Sequence, residues 1–210
     1  MRYSIPDLAP GERHATTLEV ERSRFLTWLC HAPSVAEFEA LLAEARQQHP
    51  SATHHCTAYI AGPPGEQNAI GFSDDGEPGG TAGRPMYQAL EGSGLGQVGC
   101  VVIRYFGGVK LGTGGLARAY AQAVNEALLD LPRREVVERE PLRLQVDFAG
   151  EAESRSWCAE QDIPVDDVEY VAQGVILTLG WPREAPHDIS ALTARLKGRV
   201  ALLDTPNQGI

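Results

Sequence analysis

Long hydrophobic runs are absent from this sequence of 210 residues. No stretch reaches the roughly 18 apolar residues that a membrane-spanning helix needs, and the first residues, Met1 to Pro6, lack the hydrophobic core of a secretory signal. We therefore expect a cytoplasmic protein with no membrane partner. Hydrophobic residues still make up 43% of the chain and charged residues 22%, so the chain can bury a core and is not predicted to be disordered.

Cysteine is scarce, and its spacing excludes two kinds of site. Cys30, Cys56, Cys100 and Cys158 form no C-x-x-C pair, so neither a zinc ribbon nor a redox pair is encoded. Reduced, mostly buried thiols are expected. The motifs G-x-x-x-x-G-K-[ST] and G-x-S-x-G are also absent, which argues against a Walker-type nucleotide hydrolase and against nucleophilic catalysis of the hydrolase type.

Positive charge is also in deficit, because 18 Lys and Arg residues face 28 Asp and Glu residues, for a formal net charge of −10. Such a chain is not expected to coat nucleic acid unselectively, since Lys and Arg drive that binding by displacing counterions from phosphate. The deficit is uneven. Residues 1–134 carry 11 basic and 14 acidic side chains, whereas residues 135–210 carry 7 and 14, so the first part can still hold a local basic site.

Glycine, in contrast, is abundant and concentrated. Of the 22 glycines, 14 fall between Gly71 and Gly115, a window in which an even spread would place about five. Glycine is the residue of tight turns and of backbone that approaches a ligand closely. We therefore expect this segment to carry the function.

The hydrophobic periodicity predicts an α+β protein of two domains. Residues 1–134 are predicted to contain strands near 17–20, 25–30, 55–60, 69–72 and 98–106 and helices near 35–49, 85–90 and 114–131. Residues 135–210 are predicted as strand 142–148, helix 151–160, strands 165–171 and 175–181, helix 188–196 and strand 200–204. This βαββαβ order is that of ferredoxin-like domains.

The end of the glycine-rich segment is typical of a phosphate site. Arg104 closes a buried strand, a glycine-rich loop follows, and a helix then begins. Amide N–H groups at such a helix N-terminus bind anions, aided by the helix dipole. Tyr105 and Phe106 are both candidates for stacking on a base, although the favoured prediction for Phe106 is a core position. The candidate phosphate- or nucleic-acid-binding residues are Arg84, Arg104, Tyr105, Gly107, Gly108, Lys110, Gly112, Gly114, Gly115 and Arg118.

A dinucleotide fingerprint is a weaker interpretation of the same glycines. Residues 112–117 fit G-x-G-x-x-A, but the preceding strand does not run directly into Gly112. The acidic residue that should close the following strand is missing, and Asp130 closes the helix instead. A Rossmann-type cofactor site is therefore not expected.

A short acidic stretch precedes the glycine loop. Asp74, Asp75 and Glu77 surround Gly76 without the spacing of an EF-hand, so we predict a turn with solvated acids in preference to a metal site. The neighbouring His54 and His55 alternate across a strand and cannot both face one site; one packed and one surface histidine is expected. No cofactor or metal is assigned.

Four segments together resemble the signature of the IMPACT family in its bacterial YigZ-like form. They are SRFLTWL at 23–29, HHCTAYIAG at 54–62, GFSDDGEPGGTAGRPM at 71–86 and VVIRYFGGVKLGTGGLARAY at 101–120. The resemblance implies that residues 1–134 form an IMPACT N-terminal-like domain with the α/β fold shared by domain IV of elongation factor G and the GHMP kinases. It implies that residues 135–210 resemble domain V of the same factor, and that the protein is linked to translation and its regulation.

These observations favour a non-enzymatic factor that binds the ribosome or RNA through the glycine-rich basic face of its first domain. The alternative is an enzyme or sensor for a phosphorylated small molecule bound at the Gly107–Gly115 loop, with Asp74, Asp75 or Glu77 holding magnesium or acting as a base. A third hypothesis places a protein-binding surface on the acidic second domain. No catalytic residue is assigned.

Overall fold

The computed structural model describes residues 2–203, which fall into two compact units divided between Val136 and Val137. The first contains β1 (Arg2–Pro6), β2 (His14–Val20), β3 (Ser23–His31), α1 (Val35–Gln48), β4 (His54–Ile60), β5 (Ile70–Ser73), α2 (Gly83–Gly92), β6 (Val98–Tyr105), α3 (Gly112–Leu129) and most of β7 (Arg133–Val137). The second contains β8 (Arg139–Val146), α4 (Glu151–Glu160), β9 (Val165–Val171), β10 (Gly174–Pro182), α5 (Ser190–Arg195) and β11 (Val200–Leu203). This mixture of helices and strands agrees with the predicted α+β class. Asp204, the last residue of a predicted strand, lies outside the described residues.

Helices cover both faces of the sheet in the first unit. Its five antiparallel strands have the order β2-β3-β6-β4-β5. Helix α1 packs on the face that carries Val101 and Ile103, and α2 and α3 pack on the face that carries Val102. Successive side chains of a strand point to opposite faces, so Arg104 points towards α2 and α3 while Tyr105 points towards α1.

Helix α3 confirms the periodicity prediction and begins two residues earlier than expected, at Gly112. The predicted apolar positions within the helix are all buried: Leu116, Ala119, Tyr120, Ala123, Val124, Ala127 and Leu128. Burial of this stripe against the sheet stabilises the helix despite its glycine-rich start, since tertiary packing outweighs intrinsic propensity.

Two strands, β1 and β7, are absent from the sequence-based prediction. They pair with each other in a separate two-stranded sheet. The predicted end of the first domain, residue 134, falls inside β7. Both strands are short and carry charged residues, so neither has the alternation of a half-buried strand over a sufficient length.

The second unit has the predicted βαββαβ order of elements. Its four antiparallel strands are arranged β11-β8-β10-β9. Its core includes Leu144, Leu177 and Leu192 with Trp157 of α4. Within residues 2–203 no helix combines the length and apolarity needed to span a membrane, and the four cysteines are free and buried, as predicted.

Candidate functional site

Arg104, at the end of the central strand β6, lies on the floor of a cleft. Its Nη1 donates to Glu77 Oε1 at 2.5 Å and its Nη2 to Ser23 Oγ at 3.3 Å. The side chains of Arg104 and Glu77 are only 6% and 3% exposed. A buried carboxylate beside a buried guanidinium balances its charge, so Arg104 does not contribute a free positive charge to the predicted basic face.

Glu77 is held by a second hydrogen bond, from the hydroxyl of Tyr120 to Oε1 at 2.8 Å. Burial, followed by the influence of Cys56 and Glu77, raises the pKa of the Tyr120 phenol. Tyr120 therefore keeps its proton and serves as a donor. The edge of its ring packs against Phe25, with the ring centroids 5.1 Å apart. Tyr120 of α3 and Arg104 of β6 thus fix the orientation of the Glu77 carboxylate.

The other two acids of this loop are structural. Asp74 accepts hydrogen bonds from the backbone N–H groups of Gly80, Ala82 and Gly83 at 2.8, 3.0 and 2.8 Å. Burial raises the pKa of Asp74, but these three hydrogen bonds outweigh it and leave the pKa below its ordinary value. The carboxylate thereby occupies the N-terminus of α2, where negative charge is favoured.

Asp75 also turns its carboxylate to backbone, accepting from the N–H of His55 at 2.6 Å. The three acids therefore do not converge. The segment forms a turn, as predicted, but its acids are not solvated: Glu77 is 8% exposed and Asp74 and Asp75 are half-buried, because each carboxylate accepts hydrogen bonds from the protein. Among residues 2–203 no group of three or more His, Cys, Asp or Glu side chains is placed to hold a metal ion. Of the three acids, only Glu77 lines the cleft.

His54 lies directly opposite Arg104 in the pairing of β4 with β6. Its Nδ1 is 2.8 Å from the carbonyl oxygen of Asp75, which can only accept, so Nδ1 carries the proton and Nε2 of the neutral ring is unprotonated. Nε2 lies 3.7 Å from Glu77 Oε2. The expected alternation of the two histidines is confirmed, but His55, with 8% exposure, is the buried one and His54 faces the cleft.

The glycine loop forms the opposite wall. A Cβ atom on Gly107 would collide with the carbonyl group of Arg22, and Gly108 and Gly112 have φ angles of +84° and +70°, a region that favours glycine. Helix α3 begins with no side-chain cap at Leu111. Its first N–H groups have no side-chain acceptor at that position, which leaves the helix end available for an anion.

The acidic loop and the glycine loop line one cleft of about 380 Å³. Phe106 is 49% exposed and forms part of the wall, contrary to the prediction that it belongs to the core, because β6 ends at Tyr105 and the next side chain leaves the sheet. The lining residues are Thr53, His54, Glu77, Pro78, Arg104, Phe106, Lys110, Leu111, Gly112, Thr113 and Leu116.

The remaining predicted residues lie elsewhere. Lys110 also borders a second groove, where it is joined by Gly115 and Arg118. Gly114 is near Arg118, whose Nη1 would lie 3.4 Å from a Cβ atom at that position. Arg84 is exposed at the start of α2, outside both lining sets. Tyr105 contacts His49 on the α1 face, with its hydroxyl 2.8 Å from Nδ1, so the structure does not bring it to the cleft.

Sequence reasoning missed Ser23, Thr53 and Tyr120 as parts of this site. One signal in the sequence pointed to the ion pair. Arg104 ends a buried strand, and a buried arginine is stabilised by a carboxylate partner, for which Glu77 was a candidate. No signal identified Ser23 or Thr53, whose positions depend on strand pairing. Tyr120 appeared only as one of the apolar positions of a helix.

Comparisons with known proteins show which proteins this chain is similar to. Residues 21–128 match the family model described as the Impact N-terminal domain. An IMPACT family member of Haemophilus influenzae is 40% identical over 185 residues, covering 88% of this chain and 89% of the relative. IMPACT family member YigZ of Escherichia coli is 38% identical over 197 residues, covering 93% and 96%. A crystal structure described as that of a hypothetical protein has a TM-score of 0.68 and 35% identity, covering 99% of this chain and 98% of the other.

Proposed function

This chain belongs to the IMPACT family as a bacterial YigZ-like member, and on that premise we propose that it is a cytoplasmic, translation-associated factor that binds a phosphate-rich partner. The partner is the ribosome or another RNA. The contact lies at the N-terminus of α3, with Lys110 and Arg118 beside it. The family resemblance supports the link to translation, and the chemistry of the helix end supports phosphate as the group that is bound.

The observation that carries the proposal is the uncapped start of α3 between two cations. Lys110 and Arg118 border one groove with Gly115, and neither makes an ion pair with a described residue. Helix N-terminal N–H groups and unpaired cations both favour phosphate oxygens. Two such cations form a small, salt-dependent contact, which is compatible with the acidic character of the whole chain.

Ribosome co-sedimentation across salt concentrations tests the proposal. The wild-type chain should pellet with ribosomes at low salt and dissociate as salt rises, and the double variant Lys110→Gln/Arg118→Gln should pellet less. Lys197→Gln/Arg183→Gln removes the same charge from two exposed positions of the second unit and should behave as wild type. Failure of the wild type to pellet at low salt, or equal pelleting of both double variants, would refute the proposal.

The cleft itself favours a second candidate, a sensor or enzyme for a phosphorylated small molecule. Its volume of about 380 Å³ falls within the range of roughly 300–1,000 Å³ typical of small-molecule sites. Of the acids considered for a base or a magnesium ligand, only Glu77 remains, with His54 beside it. Thermal unfolding with phosphosugars and nucleotides, with and without Mg²⁺, tests this candidate. A ligand that binds the folded chain raises the melting temperature, and the rise grows with the ratio of ligand concentration to Kd. If no compound of the panel shifts the melting temperature, the candidate is rejected.

We also propose the finer domain assignment, with residues 1–134 resembling domain IV of elongation factor G and the GHMP kinase fold, and residues 135–210 resembling its domain V. The antiparallel order β11-β8-β10-β9 and the βαββαβ sequence of elements support the second analogy. Independent cooperative unfolding of the two parts, each expressed alone, tests the division.

A further inference from the structure

We propose that the cleft between the acidic and glycine loops binds a single nucleotide unit, with its phosphate at the N-terminus of α3 beside Lys110 and its base against Phe106. This inference rests on the proposed function and names the contact that RNA would make. Its ligand chemistry, one phosphate and one base, is shared by a free nucleotide and by one nucleotide of an RNA chain.

Phe106 is presented to the cleft by a fixed backbone. Its N–H donates to Thr53 Oγ1 at 3.1 Å, and the N–H of Thr53 donates to the carbonyl oxygen of Arg104 at 2.8 Å. The ring is nevertheless 49% exposed and lines the cleft. An aromatic ring held at the wall of a cleft is the platform on which nucleic-acid bases stack.

Arg104, which lines the cleft, has one hydrogen-bond donor that no described residue satisfies. Arg104 is 95% buried, given its relative exposure of 5%, and its Nε–H has no acceptor among the described residues. The guanidinium carbon lies 5.7 Å from the centre of the Phe106 ring. A buried donor without a partner is unfavourable, and an acceptor atom of a ligand on the floor of the cleft would satisfy it.

Charge balance places the phosphate at the helix end and not on the floor. Glu77 neutralises Arg104 at 2.5 Å, so the floor has no net charge to offer. Lys110 lines the same cleft and has no ion-pair partner among the described residues, and Gly112 and Thr113 supply the first turn of α3. The phosphate-binding and base-stacking groups thus form two parts of one cleft.

Polar groups at the edge of the cleft can form hydrogen bonds with a base or a ribose. His54 Nε2 accepts a hydrogen bond when the ring is neutral, because Nδ1 is committed to the carbonyl of Asp75 at 2.8 Å. Thr53 also lines the cleft. The volume of about 380 Å³ lies near the lower end of the small-molecule range, which is compatible with a single nucleotide unit.

Calorimetric titration of the full chain tests the inference with four probes: UMP, ribose 5-phosphate, uridine and hexauridylate. UMP should bind more tightly than ribose 5-phosphate or uridine. Phe106→Ala and Phe106→Leu should each weaken UMP binding by at least about fivefold, without changing the binding of ribose 5-phosphate. Phe72→Ala is the matched control, since Phe72 is 50% exposed and stacks on Tyr87 away from the cleft.

The source of the nucleotide follows from the same titrations. Hexauridylate binding at least tenfold more tightly than UMP supports a nucleotide within RNA, and equal affinities support a free nucleotide. Equal binding of UMP and ribose 5-phosphate, or unchanged UMP binding in both Phe106 variants, overturns the inference. If the Phe106 variants still pellet with ribosomes while Lys110→Gln/Arg118→Gln does not, the proposed function stands without this cleft. If the wild type binds neither ribosomes nor UMP nor hexauridylate, both fall.

Discussion

Arg104 and Glu77 form a buried ion pair across the floor of the cleft, with Nη1 2.5 Å from Oε1. The pair links the central strand β6 to the acidic loop, and Tyr120 adds a hydrogen bond from α3 to the same oxygen. Three elements distant in sequence therefore meet at one carboxylate. The pair removes Arg104 from the cations that attract phosphate, and leaves that task to groups at the start of α3.

Removal of one partner of this ion pair should destabilise the folded chain. Glu77→Gln leaves the buried guanidinium without a counter-charge, so we expect the free energy of unfolding to fall by about 3–5 kcal/mol, measured by urea denaturation. The double variant Arg104→Met/Glu77→Gln removes both charges and should recover most of this loss. If the double variant loses as much unfolding free energy as Glu77→Gln and Arg104→Met lose together as single variants, the pairing is contradicted.

The salt dependence of RNA binding should report two phosphate contacts. With Lys110 and Arg118 as the cations, the logarithm of the association constant for hexauridylate should fall with a slope of about −1.4 against the logarithm of salt concentration. Lys110→Gln and Arg118→Gln should each make the slope shallower by about 0.7. Arg104→Met/Glu77→Gln should keep the wild-type slope; a shallower slope in that variant would show that Arg104 carries an unbalanced charge.

Asp74 should contribute stability that depends on pH. Its pKa is lower in the folded chain, so its contribution is complete above the unfolded-state pKa of about 3.9 and is lost as pH falls through the folded-state pKa. At pH 7, Asp74→Asn should destabilise by about 0.3–1 kcal/mol, because it removes the negative charge at the N-terminus of α2. Below about pH 4 the difference from wild type should shrink. Asp167→Asn, at an exposed strand position, is the control; a difference that grows on acidification would contradict the assignment.

Gly107 should tolerate no side chain, because a Cβ atom would collide with the carbonyl group of Arg22. Gly107→Ala should lower the free energy of unfolding by about 1–3 kcal/mol, the usual cost of overpacking. Gly92→Ala is the control, since no heavy atom lies within 4 Å of its built Cβ and alanine is the better helix former. Equal stability of the two variants would contradict the close approach of β3 and the glycine loop.

Much of the fold could be predicted from local pattern, and the site only in part. The apolar stripe of α3 has an unbroken helical period, and the alternation in 142–203 predicts the βαββαβ order. The strands β1 and β7 were missed because each has only five residues, which is too few to carry a clear periodic signal. Pairing between distant segments has no local signature either, so the Arg104–Glu77 contact and the anchoring of Phe106 by Thr53 could not be derived.

Two predictions about single residues show the same limit. Tyr105 and Phe106 are adjacent, and the predicted strand 98–106 contains both. The strand ends at Tyr105, so Tyr105 packs beside α1 and Phe106 turns to the cleft. Which of two adjacent aromatic residues at a strand end faces the site depends on where the strand ends. The ends of strands and helices are the least reliable feature of a sequence-based assignment.

The most direct test of the phosphate contact uses the two lysines of the chain, Lys110 and Lys197. Both are exposed, so an amine-specific acetylating reagent should modify both in the free protein, and mass spectrometry can follow each rate. With ribosomes at low salt, acetylation of Lys110 should slow at least fivefold while Lys197 keeps its rate, and high salt should restore Lys110. Equal rates at Lys110 with and without bound ribosomes would contradict the account.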